Sequence, residues 1–240
     1  MTTEPLDLLD RAADPTALPG APLVLVLAAL AVALVLVVPG PVWRFTGIAV
    51  TIVHELGHGF AGLLTGRRAV TIRLSGDHAG LTTSHGRAAS VPWTTFWGYP
   101  APAVLGAGLV LGGVLGRAAT VLAVCVVVLV LSLIFMRGAL AWFAVPLTGA
   151  ILLGLLWAAP DPWLTSAVVG IGLFLVCGAV RALANLSRRH ARGRTEASDA
   201  QILRRETGVP AGVWIVLMWI VVLAGLAASG WVLWRVVAGA

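Results

Sequence analysis

The chain has 240 residues, of which 59% are apolar and 11% are charged, with a mean hydropathy of +0.98. Soluble domains carry about 25% charged residues, so this composition excludes a soluble globular protein and indicates an integral membrane protein. The net charge of +6 comes from 16 cations, all arginine. In a membrane protein such charge bears on orientation and on anionic lipid rather than on nucleic acid. The absence of lysine and the excess of small apolar residues are typical of a GC-rich genome, which favours a bacterial cell membrane.

Residues 1–20 are polar and acidic and contain three prolines. They predict a short surface tail rather than a secretory signal, because the basic start of a signal is missing. The remaining residues, 21–240, are predicted to form a single membrane-embedded domain. Its first two apolar spans lie at 22–38 and 43–65, each close to the roughly 20 residues that cross a bilayer.

Residues 69–88 alternate β-branched and polar side chains on both sides of a Gly-Asp turn. This alternation predicts a short β-hairpin. Unpaired strand edges are excluded from lipid, so the hairpin should lie at the membrane interface or in a cavity lined by protein. One of its edges could pair with an extended peptide by strand addition.

The third span, 91–116, is interrupted at 98–102, where two prolines predict a kink or a broken helix. Further apolar spans follow, together with a basic loop before the last one. The chain is therefore predicted to be an all-α polytopic membrane protein with about seven transmembrane helices and one short interfacial β-hairpin. The remaining predicted segments are the spans 118–136, 138–159, 163–184 and 211–234 and the loop 185–206.

The distribution of arginines predicts the orientation. If all seven spans cross, only Arg44, Arg117 and Arg235 of the 16 arginines fall on one side. By the positive-inside rule the N-terminus, the hairpin and the 185–206 loop are then cytoplasmic, and the C-terminus is outside. The arginines of the loop could bind anionic lipid headgroups.

The second span carries His54-Glu55-Leu56-Gly57-His58. On a helix, His54 and His58 lie on one face, one turn apart, and both imidazoles can bind one zinc ion, Zn²⁺. Glu55 can accept a proton from a water on that ion, because zinc lowers the pKa of the water towards about 7. The motif requires a helix, which the surrounding apolar residues predict. Ionisable side chains are costly in a membrane, so this cluster indicates a zinc site rather than an incidental polar cluster.

These features together resemble the site-2 proteases, the intramembrane zinc metalloproteases of peptidase family M-fifty. The resemblance consists of the His-Glu-Leu-Gly-His helix, the hairpin after it, and the Gly-Tyr-Pro-Ala-Pro stretch at 98–102. Ser198-Asp199-Ala200 before the last span is similar to a late motif of the compact B-like branch. The resemblance covers most of residues 45–220 and implies a zinc endopeptidase whose partner is the membrane helix of another protein.

A zinc hydrolase usually has three protein ligands and one open position. Site-2 proteases supply the third from an Asp-Gly motif, which this sequence lacks. Asp199, on the same predicted side as His58, is the candidate, and its alternative role is a helix N-cap shared with Ser198. His78 and His85, in or after the hairpin, are further alternatives. Asp161 falls on the opposite predicted side.

The stabiliser of a developing oxyanion is less clearly marked. Tyr99 could donate a hydrogen bond from the broken third span, and its alternative role is an interfacial aromatic. Asn185, the only asparagine, lies at a predicted helix end. Two other functions stay open: a non-catalytic membrane scaffold, which the missing motifs favour, and a small transporter. A transporter would carry polar residues along several spans, whereas the middle spans here are almost purely apolar.

Overall fold

The computed structural model describes residues 23–76, 80–194 and 198–238. The predicted tail at 1–20 and His78 lie outside these residues. Within the described part the chain is mostly helical, with short 3₁₀ turns at Ala88–Ser90 and Leu133–Phe135. The helices are α1 Leu23–Val37, α2 Gly40–Leu64, α3 Val91–Phe96, α4 Pro100–Val114, α5 Ala118–Ser132, α6 Ala139–Ala158, α7 Asp161–Ala191, α8 Asp199–Thr207 and α9 Ala211–Ala238, and the strands are β1 Arg68–Leu74, β2 Gly80–His85 and β3 Met136–Arg137.

Several of these helices are long and apolar enough to cross a membrane. Five continuous helical segments qualify: α2, α6, α7 and α9, and the segment formed by α5 and the 3₁₀ turn that follows it. α3 and α4 qualify as a sixth only as a pair, bent by 51° at the break that the two prolines predicted. α1 has 15 residues, fewer than the roughly 20 needed. The described residues therefore form a multi-pass membrane protein with five or six candidate spans, and the count of seven is not confirmed.

The directions of α1 and α7 also differ from the predicted alternation. Seven alternating crossings would make these two helices, the first and sixth spans, antiparallel. In the structure they run in the same direction, since Ala29 lies beside Gly170, and Arg181 donates hydrogen bonds to the carbonyls of Val37 and Val38 further along both helices. The described part of α1 is about 22 Å long at about 1.5 Å per residue, and the residues before Leu23 lie outside the described ranges. The orientation of the termini therefore stays a prediction.

The predicted hairpin is present and belongs to a slightly larger sheet. β1 and β2 pair antiparallel, and β3 joins the other side of β1 in parallel, so the strand order is β2-β1-β3. Val70 and Ile72 of β1 are buried and lie against Gly59 of α2. This packing holds the hairpin alongside the second half of α2, with β2 as an outer strand.

The segment predicted as a basic loop, 185–206, is mainly helical. α7 continues to Ala191, and α8 begins after a short connection with Ser198 as its N-cap, whose side chain accepts a hydrogen bond from the backbone N–H of Gln201. Arginines in the last turn of α7 favour its extension, because cations are stabilised at a helix C-terminus. Ala200 and Leu203 of α8 are fully buried, so α8 is packed against the helical core rather than exposed as a loop.

Candidate metal centre

The three polar residues of the predicted motif converge on the inner face of α2. Ligand atoms of His54, Glu55 and His58 all lie within 4.8 Å of one another. The Nε2 atoms of the two histidines are 3.1 Å apart. His58 and Glu55 are buried, whereas 18% of the His54 side chain is exposed. The helical spacing therefore aims both imidazoles at one point, and one side of that point is open.

Asp199, from the first turn of α8, reaches the same point. Its Oδ2 atom lies 3.3 Å from His54 Nε2 and 3.4 Å from His58 Nε2. Ser198 caps α8, which leaves the Asp199 side chain free to turn towards the histidines. Burial raises the pKa of the Asp199 carboxyl, but the neighbouring imidazoles outweigh it and hold the pKa below its usual range. A carboxyl must be deprotonated to bind a metal, and this is the form that the imidazoles beside Asp199 favour.

These three atoms have the spacing that a zinc ion requires. Tetrahedral zinc with bonds of about 2.0–2.1 Å separates its ligand atoms by roughly 3.3 Å, close to the three distances between the nitrogens and the carboxylate oxygen. His58 Nδ1 lies 2.9 Å from the backbone carbonyl of Thr94. Because a carbonyl only accepts, Nδ1 carries the proton and Nε2 presents its lone pair to the centre, the arrangement typical of a metal-bound histidine. The donor set therefore fits zinc.

Glu55 is held by the β2 strand. Thr82 Oγ1 donates to Glu55 Oε2 at 2.6 Å and lies 3.2 Å from the Glu55 carbonyl oxygen. Gly80 lies so close to the Glu55 carboxylate that a Cβ at this position would overlap it. The other carboxylate oxygen, Oε1, lies 3.9 Å from His54 Nε2 and faces the centre. The contribution of Thr82 and Gly80 was not predicted, although both lie on the same face of the predicted strand.

Tyr99 lies beside the two histidines. Its ring packs edge-on against the His54 imidazole, with 4.6 Å between the ring centroids. The preceding residue, Gly98, lies directly against both imidazoles. The break between α3 and α4 therefore lets the backbone pass close to the two histidines and places Tyr99 beside them.

Replacing Gly98 with alanine should disrupt the centre. The added Cβ would overlap the His58 ring and lie 2.7 Å from His54 Cε1, so at least one imidazole must move. We expect the zinc content per purified chain to fall to the level of a His54→Ala variant. Gly108→Ala in α4 is the matched control, because no atom lies within 4 Å of a Cβ there, and it should retain zinc. Wild-type zinc content in Gly98→Ala would show that the imidazoles can move aside without losing the ion.

A cavity of about 580 Å³ opens onto the centre. Its walls come from α2, β2, α7 and α8, and Tyr99 and Asn185 both line it. The side-chain oxygen of Asn185 accepts a hydrogen bond from Arg188 Nη2 at 2.7 Å. Of the two residues considered for an oxyanion, Tyr99 thus lies against the His54 imidazole, whereas the Asn185 oxygen accepts a hydrogen bond from an arginine of its own helix.

Other candidates lie away from the centre. His85 is exposed and pairs with Arg68, at the opposite end of β2 from Gly80. Asp161 begins α7, whereas the cavity is lined by the last turns of that helix. One contact was not anticipated: His190 Nε2 lies 2.8 Å from Ser198 Oγ, which links the end of α7 to the start of α8.

Comparison with known proteins gives one match. A family model described as Peptidase M50B-like matches residues 27–230. No curated protein and no solved structure matches the chain. The matched range includes α2 with its histidines, the sheet with Thr82, and α8 with Asp199.

Proposed function

The chain belongs to the Peptidase M50B-like family, and from that premise we propose that it is a zinc-dependent intramembrane endopeptidase. The resemblance to the site-2 proteases is thereby confirmed. The substrate would be a transmembrane segment of another membrane protein. His54, His58 and Asp199 would hold the zinc ion, and Glu55 would act as the general base.

The observation that carries this proposal is the triangle of His54 Nε2, His58 Nε2 and Asp199 Oδ2, with sides of 3.1–3.4 Å. Three protein ligands with an open fourth position are typical of catalytic rather than structural zinc. The open side faces a cavity of about 580 Å³. Zinc bound there would polarise the scissile carbonyl and make water a stronger nucleophile near neutral pH.

The protein residues have separate tasks in hydrolysis. Glu55 Oε1, the oxygen that Thr82 leaves free, accepts a proton from the attacking water. Glu55 then gives this proton to the amine nitrogen of the leaving peptide, so that the water is consumed and two chain ends are produced. The bond from His58 Nδ1 to the Thr94 carbonyl keeps that ring in one orientation throughout.

The β2 strand supports the substrate in this proposal. A helix engages its own carbonyls, so a membrane segment must unwind before a peptide bond can be attacked. β2 is an outer strand of the sheet, and Gly80, Leu81 and Thr82 line the cavity. An unwound segment could pair with this edge by strand addition, which would place its carbonyl beside Glu55.

Thr82 should act as a positioning residue for Glu55. Thr82→Val keeps the side-chain shape but removes the donor to Glu55 Oε2, so we expect kcat to fall roughly tenfold, with KM and zinc content unchanged. Thr82→Ser restores the donor and should restore most of kcat. Thr83→Val is the matched control, since Thr83 is exposed and its hydroxyl pairs with Thr71 instead. An equal loss in Thr82→Ser would assign Thr82 a packing role.

The proposal is tested by reconstituting the purified chain in lipid vesicles with model transmembrane peptides. We expect about one zinc per chain, cleavage detected by mass spectrometry, loss of both on prolonged chelation, and recovery on adding zinc. A chain that holds zinc but cleaves none of a broad peptide set would instead be a non-catalytic membrane scaffold. A chain that holds no zinc after chelator-free purification would leave the proposal without its physical basis.

A further inference from the structure

The cavity at the metal centre extends to a cluster of arginines. Arg188 and Arg189 in the last turn of α7, and Arg192 at its C-cap, line the same cavity as His54 and Glu55. All three arginine side chains are exposed. Arginine stays charged at any physiological pH, so this end of the cavity carries three fixed positive charges.

These charges have no acidic partner within 23–76, 80–194 and 198–238, where the ion pairs involve histidines only. Arg188 is oriented by its own helix, because Nη2 donates to Asn185 Oδ1 at 2.7 Å and Nε donates to the Ala184 carbonyl at 3.3 Å. Among the described residues, none of the three guanidinium groups forms an ion pair with a carboxylate. A negatively charged ligand would complement them.

The other end of the cavity is apolar. Trp43, Gly47 and Val50 of α2 line it, and Gly178 of α7 lies against Trp43 and Val50. Arg188 is ten residues beyond Gly178 on the same helix, about 15 Å further along. At roughly 3.3 Å per residue, this length accommodates about four or five residues of extended peptide. The zinc-binding residues and the three arginines line this same cavity.

We propose that Arg188, Arg189 and Arg192 form a subsite for an acidic residue of the substrate, within the cavity that also contains the zinc-binding residues. This inference rests on the proposed function and narrows its substrate class to an apolar membrane segment that continues into aspartate or glutamate. A carboxylate can accept charge-assisted hydrogen bonds from arginine. Lysine or arginine at the same place would meet like charge, so the subsite also selects against a basic flank.

An anionic lipid headgroup is the other source of negative charge at such a position. The peptide is favoured because the three arginines line the cavity that contains the zinc-binding residues, whereas a headgroup belongs at the outer surface. The Arg204–Arg205 pair of α8 provides a comparison, since it is equally exposed but does not line the cavity.

The test measures binding rather than turnover. The full-length Glu55→Gln chain is loaded with zinc in nanodiscs of zwitterionic lipid and titrated with fluorescent apolar peptides that differ only in an Asp-Asp, Asn-Asn or Lys-Lys flank. We expect the Asp-Asp peptide to bind about tenfold more tightly than the Asn-Asn peptide, which corresponds to one modest charge-assisted contact. The Lys-Lys peptide should bind most weakly, and the preference should shrink at high salt.

Arg189→Gln/Arg192→Gln should abolish the preference, and Arg189→Glu/Arg192→Glu should reverse it towards the Lys-Lys peptide. Arg204→Gln/Arg205→Gln should leave it intact. The subsite would be overturned if the parent chain bound all three peptides with equal affinity. It would also be overturned if Arg204→Gln/Arg205→Gln removed the preference for Asp-Asp as well, or if the preference appeared only with anionic lipid. Cleavage by the wild-type chain is measured separately, so the two proposals can fail independently. A binding preference without cleavage contradicts the peptidase but supports the subsite. Cleavage without a binding preference supports the peptidase but contradicts the subsite.

Discussion

Glu55→Gln is expected to lower cleavage of a model transmembrane peptide by a factor of about 10³ or more while leaving the zinc content unchanged. Glutamine preserves the volume of the side chain and can still accept the Thr82 hydrogen bond, but it cannot accept a proton from water. General-base catalysis contributes roughly 10²–10⁴ in rate. The measurement pairs product quantification by mass spectrometry with zinc analysis of the same samples.

The control for this substitution is Glu206→Gln, the same chemical change at an exposed position near the end of α8. It should alter neither cleavage nor zinc content. Unchanged cleavage in Glu55→Gln would place the base elsewhere. Loss of zinc together with cleavage would show that Glu55 holds the ion. This outcome is tested because Glu55 Oε1 lies 3.9 Å from His54 Nε2.

Local sequence signals predicted the parts of the site that depend on local structure. The spacing of His54 and His58 fixes their geometry once α2 is helical, and the apolar residues around them are enough to predict the helix. The strands of the hairpin follow from alternation, and the break near Tyr99 follows from two prolines that cannot continue a helix. Each of these features is set by residues within a few positions of one another.

Contacts between distant segments were not predictable in the same way. β3 has only two residues, and nothing in Met136–Arg137 indicates pairing with β1 across more than sixty residues. Thr82 meets Glu55 across 27 residues, so a threonine in a polar strand gave no signal of its role. The count of seven spans is not confirmed, because hydropathy measures length and polarity, whereas the direction of α1 is set by its packing along α7.

Asp199 lies between these two cases. The sequence limited the third ligand to acidic and histidine residues on the predicted side of His58, and it left a helix N-cap as the alternative. The structure separates the two tasks: Ser198 caps α8, and the Asp199 carboxylate points to the histidines. What brings the carboxylate there is the burial of Ala200 and Leu203 against α9 residues such as Met218, a tertiary contact that the sequence pattern does not specify.

Asp199→Ala is expected to remove zinc, and with it cleavage, as completely as His54→Ala. Replacing a residue that only hydrogen-bonds to a metal ligand typically weakens metal binding roughly 10–100-fold. Replacing one of the three ligands themselves should weaken zinc binding by more than this. Ser198→Ala separates ligation from capping: it should lower the free energy of unfolding by about 0.5–2 kcal/mol but keep zinc. The measurement is zinc per chain at several concentrations of a competing chelator, together with thermal unfolding.

If Asp199→Ala keeps the zinc that His54→Ala loses, the third ligand lies elsewhere. His85 is exposed at the far end of β2 and would have to move to reach the centre. His78 is therefore the next residue to replace.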